Sequence, residues 1–210
     1  VPEFIAVSPQ ALADRIARRV FVAPGPRVVA VEGADAAEPV GLARLIAERA
    51  VGFGWSAGVV DLHDFVRPAS LRYEFGRDDE MSYRTAWFDY AAVDREVVRA
   101  VREQGRWLPA LWDERADRSA RVKVREMPEQ GVVFVAGPML SGRGLEFDVT
   151  VELRMSEAAL RRKTPEAERF TLEALREHES ERFETADFVV AWDHPDRPAL
   201  QVEPGGGRDH

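Results

Sequence analysis

Cysteine is absent from the 210-residue chain. That excludes a disulfide frame and any Cys-ligated zinc or iron–sulfur site. Lysine is nearly absent: Lys123 and Lys163 are the two present, so almost all positive charge is arginine. Arginine holds phosphates and carboxylates by paired hydrogen bonds, but the lysine of an ordinary phosphate-binding loop has no counterpart. A basic surplus is also lacking. The formal net charge is -8, which argues against nucleic acid as the main partner, because backbone binding needs a clustered basic face. No apolar run approaches the ~20 residues of a membrane span. The N-terminus lacks the charged-then-apolar layout of a signal peptide. No membrane partner and a cytoplasmic location are therefore expected.

What is present reads as strands alternating with helices. "SPQALADRIARRV" is an amphipathic helix: Ser8 caps it, Pro9 suits its first turn, and Leu12, Ile16 and Val20 recur at helical spacing. "RVVAVEG", "SAGVVDL", "GVVFVAGPM", "FDVTVELR", "ADFVVAWD" and "ALQVE" are strand candidates, several of them the continuous apolar runs of buried parallel strands. A long helix is expected from about Asp89 to Glu103. "WLPALWDERADRSARVKVREM" reads as two strands joined by a polar turn, a hairpin insertion over about 106–127. Ser156 caps the helix "SEAALRRK", and residues 165–183 read as helical and charged. The pattern predicts an α/β fold, a three-layer sandwich around a mostly parallel sheet. One domain is expected over 1–203, with lid-like helices over about 156–183 and a disordered tail at 204–210. Ligands of such sheets bind beyond the carboxyl ends of the strands, so the segments after Val31, Val60 and Val135 should converge on one cleft.

The stretch "VEGADAAEPVGL" lies between a strand and a helix, where a phosphate-binding loop of the form G-x-x-x-x-G-K-[ST] would sit. Gly33 opens the motif, but its last three places hold Glu38, Pro39 and Val40. On its own residues the stretch is either a dismantled nucleotide site or a plain strand-to-helix turn.

The order of the segments resembles the uridine kinase-like group of P-loop phosphotransferases, especially its short bacterial forms. The likeness runs from about Arg27 to about Val202. "VVAVEGADAAEPVGLARLIAE" resembles that group's strand, loop and first helix. "DLHDFVRPASLRYEFGRD" is similar to its acceptor-site segment, "SYRTAWFDY" to the stretch before the long helix, "ALWDERAD" to the hairpin that closes over the acceptor, and "ADFVVAWDHPDRPAL" to the C-terminal strand and turn. The resemblance implies a P-loop kinase-like fold, and it also exposes departures. Glu38, Pro39 and Val40 stand where the group has Gly-Lys-Thr or Gly-Lys-Ser. His63 stands at the catalytic carboxylate, with Asp64 at the second acid of the pair. Ala136 stands at the strand-end acid near the metal, and Glu114 at the hairpin's usual His.

These substitutions remove the donor machinery. A P-loop binds anions through successive backbone N–H groups at a helix N-terminus. Pro39 lacks one such donor. Glu38 adds a carboxylate: at about 4 Å and an effective dielectric near 20, two like unit charges repel by roughly 4 kcal/mol. Val40 and Ala136 cannot ligate magnesium, which needs oxygen. Loss of Mg-ATP phosphotransfer is expected, with no cofactor and no bound metal.

The acceptor side keeps its chemistry. His63, Asp61, Asp64 and Glu114 are the candidate catalytic residues, because a His among carboxylates is a plausible acid–base centre. If the strand runs through them, Asp61 and His63 point one way and Asp64 the other. The alternative is a hydrogen-bonding histidine at a loop start. Arg67, Tyr73, Arg77, Tyr83, Arg84, Trp87, Asp89, Trp112 and Arg115 are the candidate substrate-binding residues. The ligand expected is a small polar or anionic molecule, and self-association is left open. Arg161, Arg162 and Lys163 resemble the start of the group's lid or form a solvated helix end. His178 belongs to a charged helical face and His194 to a turn.

Three functions follow: a repurposed, metal-free enzyme of the acceptor pocket (dehydration, cyclisation or isomerisation); a non-catalytic pseudokinase that binds a metabolite or partner; or an atypical kinase in which Arg143 or Arg161 replaces the lysine.

Overall fold

The computed structural model describes residues 3–22, 24–181 and 185–202. The expected disordered tail at 204–210 lies outside these residues, as do positions 182 and 183 of the expected lid stretch. The order along the chain begins with β1 (Glu3–Ala6), α1 (Pro9–Val20), β2 (Arg27–Glu32), α2 (Pro39–Ala47) and β3 (Ser56–Asp61). Short helices α3 (Ala69–Arg72) and α4 (Glu80–Thr85) follow, then α5 (Tyr90–Val93) and α6 (Arg99–Gln104). The excursion β4 (Arg106–Trp107), β5 (Trp112–Asp113), β6 (Arg118–Ser119) and β7 (Arg125–Glu126) precedes β8 (Gly131–Gly137) and β9 (Val149–Arg154). The chain ends with α7 (Glu157–Lys163), α8 (Thr171–Ser180), β10 (Phe188–Ala191) and β11 (Ala199–Val202).

The main sheet runs β1-β11-β10-β9-β2-β8-β3. Its inner strands β10, β9, β2, β8 and β3 are parallel, and β11 and β1 are added antiparallel at one edge. The continuous apolar sequence of β8 is explained by burial at every position, since a parallel strand covered on both faces has no side to show water. One face packs Val29, Val31 and Phe134 against Leu12 and Ile16 of α1 and Leu42 and Ile46 of α2. The other packs Val28, Ala30, Val133 and Val135 against Val97, Val101, Phe88 and Trp107. The result is the expected α/β three-layer sandwich with a mostly parallel sheet.

Local chemistry sets the ends of the elements. Ser8 accepts the N–H of Ala11 and Ser156 that of Ala159, each satisfying an orphan donor of a first helical turn. The long helix after Asp89 is continuous but widens into a π turn over Asp94–Val98. It stops at Gly105, whose φ of 59° is left-handed. The hairpin insertion is two short ladders, β4 with β7 and β5 with β6. β1 was not expected: four residues with every side chain exposed carry no periodic signal, and pairing with β11 defines them.

Strand order reverses at β2, with β8 on one side and β9 on the other. The crevice beyond the strands' carboxyl ends opens there.

Candidate functional site

The loop after β2 turns its own donors inward. Residues Asp35–Ala37 form a 3-10 turn. Ala37 N–H donates to the Ala34 carbonyl at 2.8 Å, Glu38 N–H to Asp35 at 2.9 Å, and Gly41 N–H to Glu38 at 2.9 Å. Pro39 opens α2 and has no N–H to offer. Glu38 holds a left-handed backbone, φ 52° and ψ 52°, a conformation that glycine adopts without steric cost. Its side chain is exposed, Pro39 is buried, and Val40 packs against the α1–α2 core.

β3 ends at Asp61, and a 3-10 turn, Leu62–Phe65, begins. The alternation expected through His63 and Asp64 therefore stops at Asp61, two residues before His63. Asp61 accepts the His63 backbone N–H at 2.9 Å. The His63 ring is thereby set between two carboxylates: Nδ1 lies 2.6 Å from Glu114 Oε2, and Nε2 lies 3.1 Å from Asp35 Oδ1. Two carboxylates facing both nitrogens require both to donate, which is the imidazolium form. Burial works against that charge, but the hydrogen bonds to Asp35 and Glu114 outweigh it and push the pKa up to about 11. Burial likewise works to raise Glu114, and the His63 bond and charge, with Arg72 and the Trp87 bond, together more than offset it, holding the carboxyl below its ordinary value.

Glu114 is fixed from beneath. Arg72, only 1% exposed, donates Nη1–H to Glu114 Oε1 at 2.7 Å and Nε–H to the Arg67 carbonyl at 2.7 Å. Trp87 Nε1–H donates to the same Oε1 at 3.1 Å. The Arg72 guanidinium also lies over the rings of Tyr73 and Trp87, 5.1 and 5.3 Å from their centroids. The β5–β6 hairpin carrying Glu114 is tied down by Asp117, which accepts from Ala69 N–H at 2.8 Å and Trp112 Nε1–H at 3.0 Å.

Above this network opens a cleft of about 890 Å³. Asp35, Glu38 and Arg44 line its loop side, Asp61, His63 and Glu114 its base, and Arg77 and Asp78 its rim. One wall is aromatic: Tyr73, Tyr83 and Trp87, closed by Phe170 from the segment before α8. Phe170 sits 5.9 Å from both Tyr83 and Trp87, centroid to centroid. Tyr83 Oη donates to Asp35 Oδ2 at 3.3 Å, and burial, with Asp35 next, raises its pKa well above the usual phenol range.

Of the catalytic candidates, Asp61, His63 and Glu114 meet at the cleft. Asp64 is not among its lining residues; burial and the neighbouring Asp61 push its carboxyl up to about 6. Of the substrate-binding candidates, Tyr73, Arg77, Tyr83 and Trp87 line the cleft, whereas Arg67, Arg84, Asp89, Trp112 and Arg115 do not. Asp89 caps α5 through Ala92 N–H at 3.0 Å. Arg84 binds Glu181 at 2.9 Å, Trp112 anchors the hairpin, and Arg115 is exposed. Sequence reasoning missed Asp35, Arg44 and Phe170. No local spacing marks them, because the tertiary fold alone brings the loop, α2 and the segment before α8 to one place.

His178 lies on the expected helix, and its contacts are with the sheet. α8 lays it against the end of β2, with Nε2 3.1 Å from Glu32 Oε1 and 3.3 Å from Ser141 Oγ. Arg143 donates to the Arg84 carbonyl at 2.8 Å and covers the Tyr90 ring, away from the loop after β2. Arg161 and Arg162 are exposed, and His194 accepts the Arg197 N–H in a turn. Among the described residues no group of three or more His, Asp or Glu could hold a metal ion, and no helix is long and apolar enough to cross a membrane.

No family model matches the chain, and no curated protein does. Solved structures do. A possible uridine kinase from Bacillus stearothermophilus is 17% identical over 84% of this chain and 96% of its own, with a TM-score of 0.64. A protein of Silicibacter sp., described as a fructose transport system kinase, is 20% identical over 87% and 98%, TM-score 0.65. A D-glycerate 3-kinase from Cryptococcus neoformans is 15% identical over 92% and 97%, TM-score 0.53. At such identities the likeness establishes the fold: a uridine kinase-like, P-loop kinase fold.

Proposed function

We propose that this P-loop kinase fold has lost ATP-dependent phosphotransfer and that the acceptor half of its cleft serves a small polar molecule. The observation that carries the reading is the inward-turned loop. An anion nest needs N–H groups aimed at the ligand, yet those of Ala37 and Glu38 are spent on Ala34 and Asp35, and Pro39 has none. Asp35 and Glu38 add two carboxylates where a triphosphate would bring up to four charges of the same sign. Phosphoryl transfer depends on positioning and charge neutralisation, and this loop supplies neither. Isothermal calorimetry with magnesium and ATP tests the reading. No heat of binding is expected, and no turnover of uridine or glycerate; tight binding with phosphorylation of either would reverse it.

A second reading makes the cleft an enzyme, and the imidazolium favours it. Held as a cation, His63 can steady a developing anion by its charge, with the Asp61 carboxylate beside it as base. That suits dehydration or cyclisation better than an isomerisation needing neutral imidazole as base. His63→Gln would then abolish turnover while retaining ligand binding. A non-catalytic binding protein would show the binding with no reaction to lose.

A further inference from the structure

The charges around the cleft do not balance. Its lining carries the carboxylates of Asp35, Glu38, Asp61, Asp78, Glu114 and Glu168, against Arg44, Arg77 and His63. The inner part is already satisfied: Asp35 and Glu114 clamp His63, Arg72 braces Glu114, and Asp61 accepts a backbone N–H. At the mouth Glu38, Asp78 and Glu168 stand against Arg44 and Arg77, so carboxylates are in excess there as they are over the whole lining. All three acidic residues are exposed, and their hydrogen bonds among the described residues run through the backbone, leaving the carboxylates without a side-chain partner. They come from three separate segments: the loop before α2, the stretch before α4, and the turn before α8. They face an aromatic wall of Tyr73, Tyr83, Trp87 and Phe170.

Arg77 is the cation of the rim, and its guanidinium lies over the Tyr73 ring at 5.1 Å. A ring face already occupied by a positive group shows what this wall accepts. A phosphate or carboxylate entering here meets a lining in which carboxylates outnumber cations, while an ammonium group meets those carboxylates and the half-buried rings of Tyr73 and Phe170. Like-signed walls also concentrate the field in a cleft and raise the local concentration of counter-ions.

We infer that the cleft takes a small organic cation, an amine-bearing polar molecule, in preference to a neutral or anionic one. This rests on the reading that the former acceptor cleft is the ligand site. The net negative rim selects charge, the aromatic wall holds the ammonium and its carbon frame, and the cleft's size admits a molecule from a polyamine to an amino sugar or aminated nucleoside.

The test is thermal unfolding of the whole chain with matched probes: glucosamine, glucose and glucose 6-phosphate on one scaffold, spermidine against citrate on another. Each is used up to about 10 mM, tenfold above a millimolar Kd. At least one amine should raise the melting temperature more than its neutral or anionic counterpart. The shift should shrink between low salt and about 0.5 M, because exposed charges are screened within a few ångströms there. Asp78→Asn with Glu168→Gln should weaken amine binding roughly three- to tenfold, and Arg77→Gln should strengthen it, since each removes one unit charge near the ligand. Glucose 6-phosphate or citrate stabilising more than the amines would overturn the inference. So would the absence of any amine effect, or an amine effect untouched by the double variant. If these fail while Mg-ATP still gives no heat, the loss of phosphotransfer stands and the cation falls. If Mg-ATP binds tightly, the functional reading falls whatever the amines do.

Discussion

His63 is clasped between Glu114, 2.6 Å from Nδ1, and Asp35, 3.1 Å from Nε2. The two acids come from elements far apart in sequence, the β5–β6 hairpin and the loop after β2. A single imidazolium thus joins the two halves of a kinase-like cleft.

The first prediction concerns pH. The folded pKa of His63 is raised from 6.5 to about 11. A raised pKa contributes stability that is complete below the unfolded value, declines above it, and is gone once the folded group deprotonates. The contribution should be full at pH 6, smaller at pH 9 and absent above pH 11. Urea unfolding of the parent and His63→Gln at a series of pH values measures it. The deficit should be at least about 1–2 kcal/mol at pH 6, less than the full shift implies because the ring is a third exposed. It should narrow steadily towards pH 10. A deficit that is flat with pH would mean a neutral ring. The ring proton resonances of His63 should likewise not titrate between pH 5 and 9.

Arg72 underlies the same clasp. It is buried and bonded to Glu114 and the Arg67 carbonyl. Removing one partner of a buried pair leaves the other charge uncompensated, typically at a cost of about 3–5 kcal/mol. Arg72→Met should fall in that range by chemical denaturation, towards its lower end because Glu114 keeps His63 and Trp87. Arg72→Lys should not rescue it, since an ammonium cannot reach Glu114 and the Arg67 carbonyl in one plane.

How much of this the sequence disclosed follows from the range of each interaction. β8 was legible because a central parallel strand must be apolar throughout, and the Ser8 and Ser156 caps were legible because they act three residues away. His63, Asp61 and Glu114 were visible through family-like position. Asp35 was not, since its partner is 28 residues on and an acid in a loop is usually solvated. The sheet contact of His178 was hidden for the same reason: a charged helical neighbourhood gives no sign of a partner 146 residues back, at Glu32. β1 was invisible because four exposed residues become a strand only when β11 is there to pair. Asp89 and Trp112 carry the residue types of a binding site but spend them on a helix cap and a hairpin anchor.

The close packing beneath the site gives a third prediction. Gly137, at the end of β8, lies so near Leu62 that a Cβ there would meet Leu62 Cβ at 2.4 Å. Backbone-borne atoms on both sides leave little room to yield. Gly137→Ala should destabilise by about 1–3 kcal/mol, the usual cost of overpacking. It should also displace Leu62 and with it His63, one residue on. The variant should therefore lose ligand-induced stabilisation beyond what its lower melting temperature alone accounts for, whereas Gly52→Ala, which meets nothing within 4 Å, should leave both unchanged.

If phosphotransfer has been lost as proposed, rebuilding the loop separates two causes, missing donors and added charge. Glu38→Gly with Pro39→Lys and Val40→Thr restores a flexible turn, an N–H, a cation and a hydroxyl. Removing Glu38 alone relieves a repulsion of roughly 4 kcal/mol at contact distance, so nucleotide binding should reappear in the triple variant at high micromolar to millimolar strength. Phosphotransfer should not. Asp35 still clasps His63 across the cleft, and Ala136, near the end of β8, has no side-chain oxygen to ligate a metal. Calorimetry with Mg-ATP reads the first outcome and ADP release with uridine the second. Binding without turnover fits a donor half lost independently of the altered acceptor half. Turnover in the triple variant would instead mean that the loop alone had silenced an otherwise intact kinase.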